Sequence, residues 1–144
     1  MLTRLALFIA ISLSFAAIAN SPSIAGGDDR ELLSLNPVEK NAVRSEMRRL
    51  LISVSGILSA LSEKDMAAVE KSSRKAGMVM VGQVEVSLKK RLTPAFMKLG
   101  KSVHVGFDEI ADAARDGADH DKIIKLLAEQ TNRCTTCHAA YGLK

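Results

Sequence analysis

Five residues near the C-terminus carry the plainest chemistry in this sequence: Cys134-Thr135-Thr136-Cys137-His138. Cys-x-x-Cys-His is the pattern by which a c-type haem is attached. Its thiols become thioethers to the porphyrin, and its imidazole becomes an axial ligand to the iron. Other uses of the two cysteines fit less well. A disulfide across two intervening residues closes too small a loop to stabilise much. A thioredoxin-like redox pair belongs beside a sheet, which the sequence does not offer. A zinc site needs about four ligands, so His104 or His120 would have to join the two thiolates and His138.

The second axial position sets the chemistry of such a group. Only six residues follow His138, and none is Met or His. A protein ligand must therefore come from upstream, where Met47, Met66, Met78, Met80, Met97, His104 and His120 are available. Met47 fits best, on an apolar helical stripe beside Leu50, Leu51 and Val54. Arg44, one turn earlier, puts a guanidinium within reach of a haem propionate. Packing is the ordinary role of a stripe methionine, and that reading stays open for Met47. Met66 and Met80 read as core, Met78 falls off its stripe, and Met97 sits at an edge. His104 reads as a boundary side chain next to Val103, and His120 as a solvated one between Asp119 and Asp121.

The elements that must position these residues are helical. Asn36-Pro37-Val38-Glu39 combines a cap, a proline at the first helical position and a capping-box glutamate. Val43, Met47, Leu50, Val54, Ile57 and Leu61 then mark one face of a long helix. Arg44, Glu46, Arg48 and Arg49 fall mostly off that face. Ser62-Glu63-Lys64-Asp65 interrupts the pattern and caps a second helix with the stripe Met66, Val69, Ser73, Ala76, Met80. The connector after it reads as irregular or as a short extra turn. A strand over 84–88 is the alternative, and it would lack a partner. Thr93-Pro94 opens a third helix with Phe96, Leu99, Val103, Phe107, Ile110 and Ala114 inward, ending at Asp116-Gly117. Asp119 caps the last helix, whose stripe is Ile123, Leu127, Gln130, Cys134, Cys137/His138 and Tyr141. The attachment motif thus continues the core face of its own helix. Four amphipathic segments with short links predict an all-α, antiparallel four-helix bundle over 36–144, with the haem covalently bound at its C-terminal end.

The N-terminus reads as a processed segment. Arg4 precedes an uncharged apolar run from Leu5 to Ala17, and small residues follow at Ala17-Ile18-Ala19, with Ser23-Ile24-Ala25 as a second cleavage site. Residues 1–19 are the expected signal peptide, 20–35 a flexible leader. The run is shorter than the ~20 apolar residues that a spanning helix wants, so the mature chain is expected to have no membrane span and to be periplasmic. The chain carries 20 Lys+Arg against 16 Asp+Glu, and the signal peptide removes only Arg4. A mild positive charge spread along the chain argues for no nucleic-acid partner. The mature part has two Phe, one Tyr and no Trp, and a buried porphyrin would supply the flat bulk that such a core lacks.

With Cys134-Thr-Thr-Cys137-His138 at the end of a four-helix pattern and Tyr141 just behind, residues 36–144 resemble the cytochrome c′ superfamily, the class II c-type cytochromes. The Arg44/Met47 pair on the first helix and the Leu92-Thr-Pro-Ala-Phe96 opening of the third add weaker likeness. The resemblance implies that His138 is the proximal ligand and that a first-helix residue faces the distal side. Members with a methionine there carry electrons in a six-coordinate, low-spin state. Members with an apolar residue are five-coordinate and bind nitric oxide or carbon monoxide. Met47 places this chain with the first group, giving an expected periplasmic single-haem electron carrier with redox protein partners; gas binding is the alternative. The resemblance also implies a homodimer through the first two helices. The chain departs from the family in its tail, where Gly142-Leu143 stand in place of the basic residue common after the aromatic. No catalytic acid/base set is legible, so no enzymatic activity is expected.

Overall fold

The computed structural model describes residues 28–83 and 85–144. The expected signal peptide, both cleavage sites and the leader through residue 27 lie outside the described residues. In chain order the elements are β1 (Glu31–Leu33), α1 (Pro37–Ser62), α2 (Met66–Arg74), α3 (Met78–Val81), α4 (Val86–Lys89), α5 (Pro94–Arg115), α6 (His120–Ala140) and β2 (Tyr141–Leu143). The chain is mostly helical, as its periodicity predicts.

The long helices begin where their capping residues place them. At α1 the Asn36 side chain accepts from the Glu39 N–H at 2.9 Å, and Glu39 accepts from the Asn36 N–H at 2.8 Å. Two otherwise orphaned donors are satisfied reciprocally. Asp65, Thr93 and Asp119 cap α2, α5 and α6 in the same sense, accepting from Ala68, Phe96 and Lys122. Helix α1 packs on α2, α2 on α5, and α5 on α6. Ile57, Val69, Met80, Phe107, Ile110 and Ile123 form the centre of the core, all essentially without solvent exposure.

The second helix is shorter than its stripe suggests. It stops at Arg74, and the chain restarts as α3 at Met78. The cause is Asp108 on α5, whose carboxylate accepts from the Met78 N–H at 2.8 Å and from Arg74 at 3.1 Å. A Cβ at Gly77 would collide with that carboxylate, so glycine lets α5 reach the chain there. The connector then forms the short helix α4 and contains no strand among its described residues.

A further departure joins the two ends of the described chain. Strands β1 and β2 pair in parallel, with Glu31 opposite Tyr141, Leu32 opposite Gly142 and Leu33 opposite Leu143. Residues 31–35, expected within a flexible leader, are therefore part of the fold. Leu33 and Leu35 are buried with Val43 and Leu88 in a small second core. The rings of Phe96 and Tyr141 meet edge-to-face beside it, with centroids 5.1 Å apart, a favoured aromatic geometry.

At Gly106, α5 lies so near α6 that a Cβ would run into Gln130 and Arg133. Arg133 has a flexible end, but Gln130 is fully buried and donates to the Val103 carbonyl at 3.0 Å. Gly106→Ala should therefore lower stability, because overpacking costs about 1–3 kcal/mol against a helix-propensity gain of about 1 kcal/mol. A urea midpoint unchanged or raised by the substitution would contradict this close approach.

Candidate functional site

The attachment motif lies wholly within α6, which continues to Ala140 before the chain turns into β2. Its carrier segment is fixed to α5 just upstream. Besides its bond to Val103, Gln130 accepts from Arg133 at 3.2 Å, and Arg133 reaches the Ser102 carbonyl at 3.3 Å and Glu109 at 3.2 Å. The helical spacing of Cys134, Cys137 and His138 then presents all three on one side.

That side borders a cavity of about 490 Å³, within the range of roughly 300–1,000 Å³ typical of cofactor clefts. Met47, Leu50 and Val54 come to it from α1, and Phe96, Val103 and His104 from α5. Its walls are predominantly apolar, with Lys89 and Lys101 as its cationic lining residues. A smaller cavity of about 240 Å³ borders the strand pair and again meets Met47, Cys137 and His138, together with Arg30. The Arg30 guanidinium also donates to the His138 backbone carbonyl at 3.5 Å.

Of the residues singled out in the sequence, Cys134, Cys137, His138 and Met47 thus meet around one cavity. Arg44 does not join them: it is exposed on α1 and lines neither cavity. Lys89, Lys101 and Arg30 are the cations that the fold brings to these walls. Met80 is buried and Met66 half-buried against the core, as their stripe predicts. Met78 is half-buried, and Met97 lines the larger cavity from an exposed position. His120 is exposed near Asp121.

Both thiols are free and half-buried. Burial pushes each thiol pKa up, and the neighbouring Cys134 adds to the effect at Cys137. They are therefore protonated thiols at neutral pH rather than the depressed-pKa thiolates of a redox-active pair.

His104 is not a boundary residue. It is 3% exposed, with Nδ1 2.7 Å from the Ala76 carbonyl and Nε2 3.0 Å from a Glu46 carboxylate oxygen. Burial disfavours its charged form, but the hydrogen bonds to Glu46 and Ala76 and the charges of Glu46 and Asp108 prevail and raise its pKa. With both nitrogens engaged, His104 is not available to complete a zinc site. Glu46 itself, placed off the inward face by its charge, is half-buried and borders the cavity. Its only sequence signal is its position next to Met47, which says nothing of a partner on α5.

The positive charge is also less evenly spread than its sum suggests. Residues 86–107 contain five Lys or Arg and no Asp or Glu, whereas 108–121 contain six Asp or Glu and one Arg. The basic stretch includes Lys89 and Lys101 at the cavity.

A covalently held planar apolar group with a central metal suits this donor set: two thiols and an imidazole on α6, a thioether on α1, and apolar walls between. Comparison with models of known protein families, with characterised proteins and with solved structures gives no match to this chain.

Proposed function

We propose that this chain is an exported, periplasmic c-type cytochrome that carries single electrons on one covalently attached haem. The carrying observation is the cavity on which the Cys134/Cys137/His138 motif and Met47 converge from different helices. The four longest helices, α1, α2, α5 and α6, make up the bundle of this reading, which follows the resemblance to the cytochrome c′ superfamily. The haem, when bound, supplies a reversible ferric/ferrous couple.

The protein's own residues hold and tune that couple. Cys134 and Cys137 would hold the porphyrin as thioethers, and His138 would supply an imidazole ligand. Met47 would supply a thioether, a ligand that favours ferrous iron and raises the potential. The apolar walls exclude water and so limit reorganisation on electron exchange. Lys89 and Lys101 line the cavity and would be placed to neutralise propionates, whereas Arg44 lines neither cavity. Partner proteins meet the basic stretch around the cavity, which favours an acidic docking face.

Stopped-flow oxidation of the reduced protein by ferricyanide, a small anionic oxidant, tests this reading. The second-order rate should be fast and fall as ionic strength rises, because screening weakens attraction to a basic surface. A protein that does not exchange electrons with this reagent, or one whose rate rises with salt, would contradict it.

A further inference from the structure

Helix α1 is sparsely anchored where it borders the cavity. Between Pro37 and Ile52 only Val43 and Leu50 are buried, while Arg44, Arg48, Leu51 and Ile52 face solvent. Apolar contacts on one side, from Val43, Leu50 and the half-buried Met47, fix the depth of a helix better than its rotation, since dispersion contacts are non-directional. A directional contact is nevertheless present. Glu46, immediately before Met47, is hydrogen-bonded to the buried His104 at 3.0 Å, and His104 is held in turn by the Ala76 carbonyl at 2.7 Å. Ala76 is fully buried in the link after α2, and its carbonyl can only accept. His104 Nδ1 therefore carries a proton and donates it, which fixes the plane of the ring and turns Nε2 toward α1.

Resting on the electron-carrier reading above, we propose that Glu46 and His104 are positioning residues: a buried clamp from α5 that sets the rotation of α1 and so aims the Met47 thioether into the cavity. Successive helical residues are about 100° apart around the axis. Holding Glu46 against α5 therefore fixes the direction of Met47, and a small rotation of α1 would change how the sulfur is presented to the cavity. The three anchored pieces are the link after α2, α5 and α1, so the clamp, which itself borders the cavity, ties the ligand to the buried carbonyl of Ala76. Neither residue touches the iron in this account. Their effect is on how well Met47 competes for it.

The experiment uses the haem-loaded protein and reads ligation separately from stability. In Glu46→Ala and His104→Ala the ferric protein should lose most of the weak sulfur-to-iron absorption band, and the ferrous protein should bind carbon monoxide. Glu46→Gln keeps an acceptor for the His104 Nε2–H and should retain the band. If the alanine variants do not mature, Glu46→Asp, shorter by one methylene, keeps the question open to test. Displacement of Met47 by added imidazole should then need about tenfold less imidazole than in the wild type, the factor that 1.4 kcal/mol represents. Lower melting temperatures with an unchanged band and unchanged imidazole affinity would overturn the clamp while leaving the electron-carrier reading standing. A wild-type protein without the sulfur band would overturn both.

Discussion

Replacing Cys134 and Cys137 together by serine should abolish covalent haem completely. A serine hydroxyl nearly matches a thiol in size but forms no thioether, and both positions are only half-buried on a helix whose fold contacts lie elsewhere. The carrier segment is anchored upstream by Gln130, Arg133 and the buried residues Ile123 and Leu127. The double variant should therefore still fold as a helical protein, and its loss is one of chemistry rather than of structure. Either single serine leaves one thioether and a weakened holoprotein. Denaturing extraction with acidified organic solvent checks this: wild-type protein keeps its haem in the protein phase, and the double variant releases all of it. Retention of haem by the double variant would rule out the proposed attachment.

Met47→Ala should have the next largest effect. Met47 borders both cavities and is half-buried, so truncation enlarges the space there and removes the α1 thioether from it. The expected ferric protein is high-spin, its reduction potential is lower, and its ferrous form takes up carbon monoxide. The stability cost should lie at or below the low end of the roughly 2–5 kcal/mol seen for Met→Ala in cores, because the side chain is only partly enclosed. A large spectral change with a small stability change is the signature of a ligand. The reverse, a large loss of stability with unchanged spectra, is the signature of packing.

What the sequence made legible was what local rules determine. The start of α1 could be read because Asn36, Pro37 and Glu39 each have a fixed job in the first turn, and the motif could be placed on a core face because Ile123, Leu127 and Gln130 precede it at helical spacing. Pairings between distant segments were not legible. Glu31-Leu32-Leu33 is too short to read as a strand, and its partner lies at the other end of the chain. Glu46 looked like one charge among several, and only the burial of His104 on α5, 58 residues away, shows why it turns inward. The stripe of α2 runs on past Arg74 in sequence, yet the helix ends there because Asp108 caps α3 from outside. Arg44 shows the limit of spacing arguments at one turn. Arg44 and Met47 are only about 60° apart around the helix, yet a long side chain at Arg44 reaches solvent although its neighbour Val43 is buried.

The most direct test of the account is the absorption spectrum of the ferric, haem-loaded wild-type protein. The account predicts a low-spin spectrum carrying the weak sulfur-to-iron band near the red edge, because on the proposed reading Met47 and His138 would both ligate the iron. A high-spin spectrum without that band would contradict methionine ligation and favour a gas-binding protein, and a matured, exported chain with no haem absorption at all would contradict the account at its root.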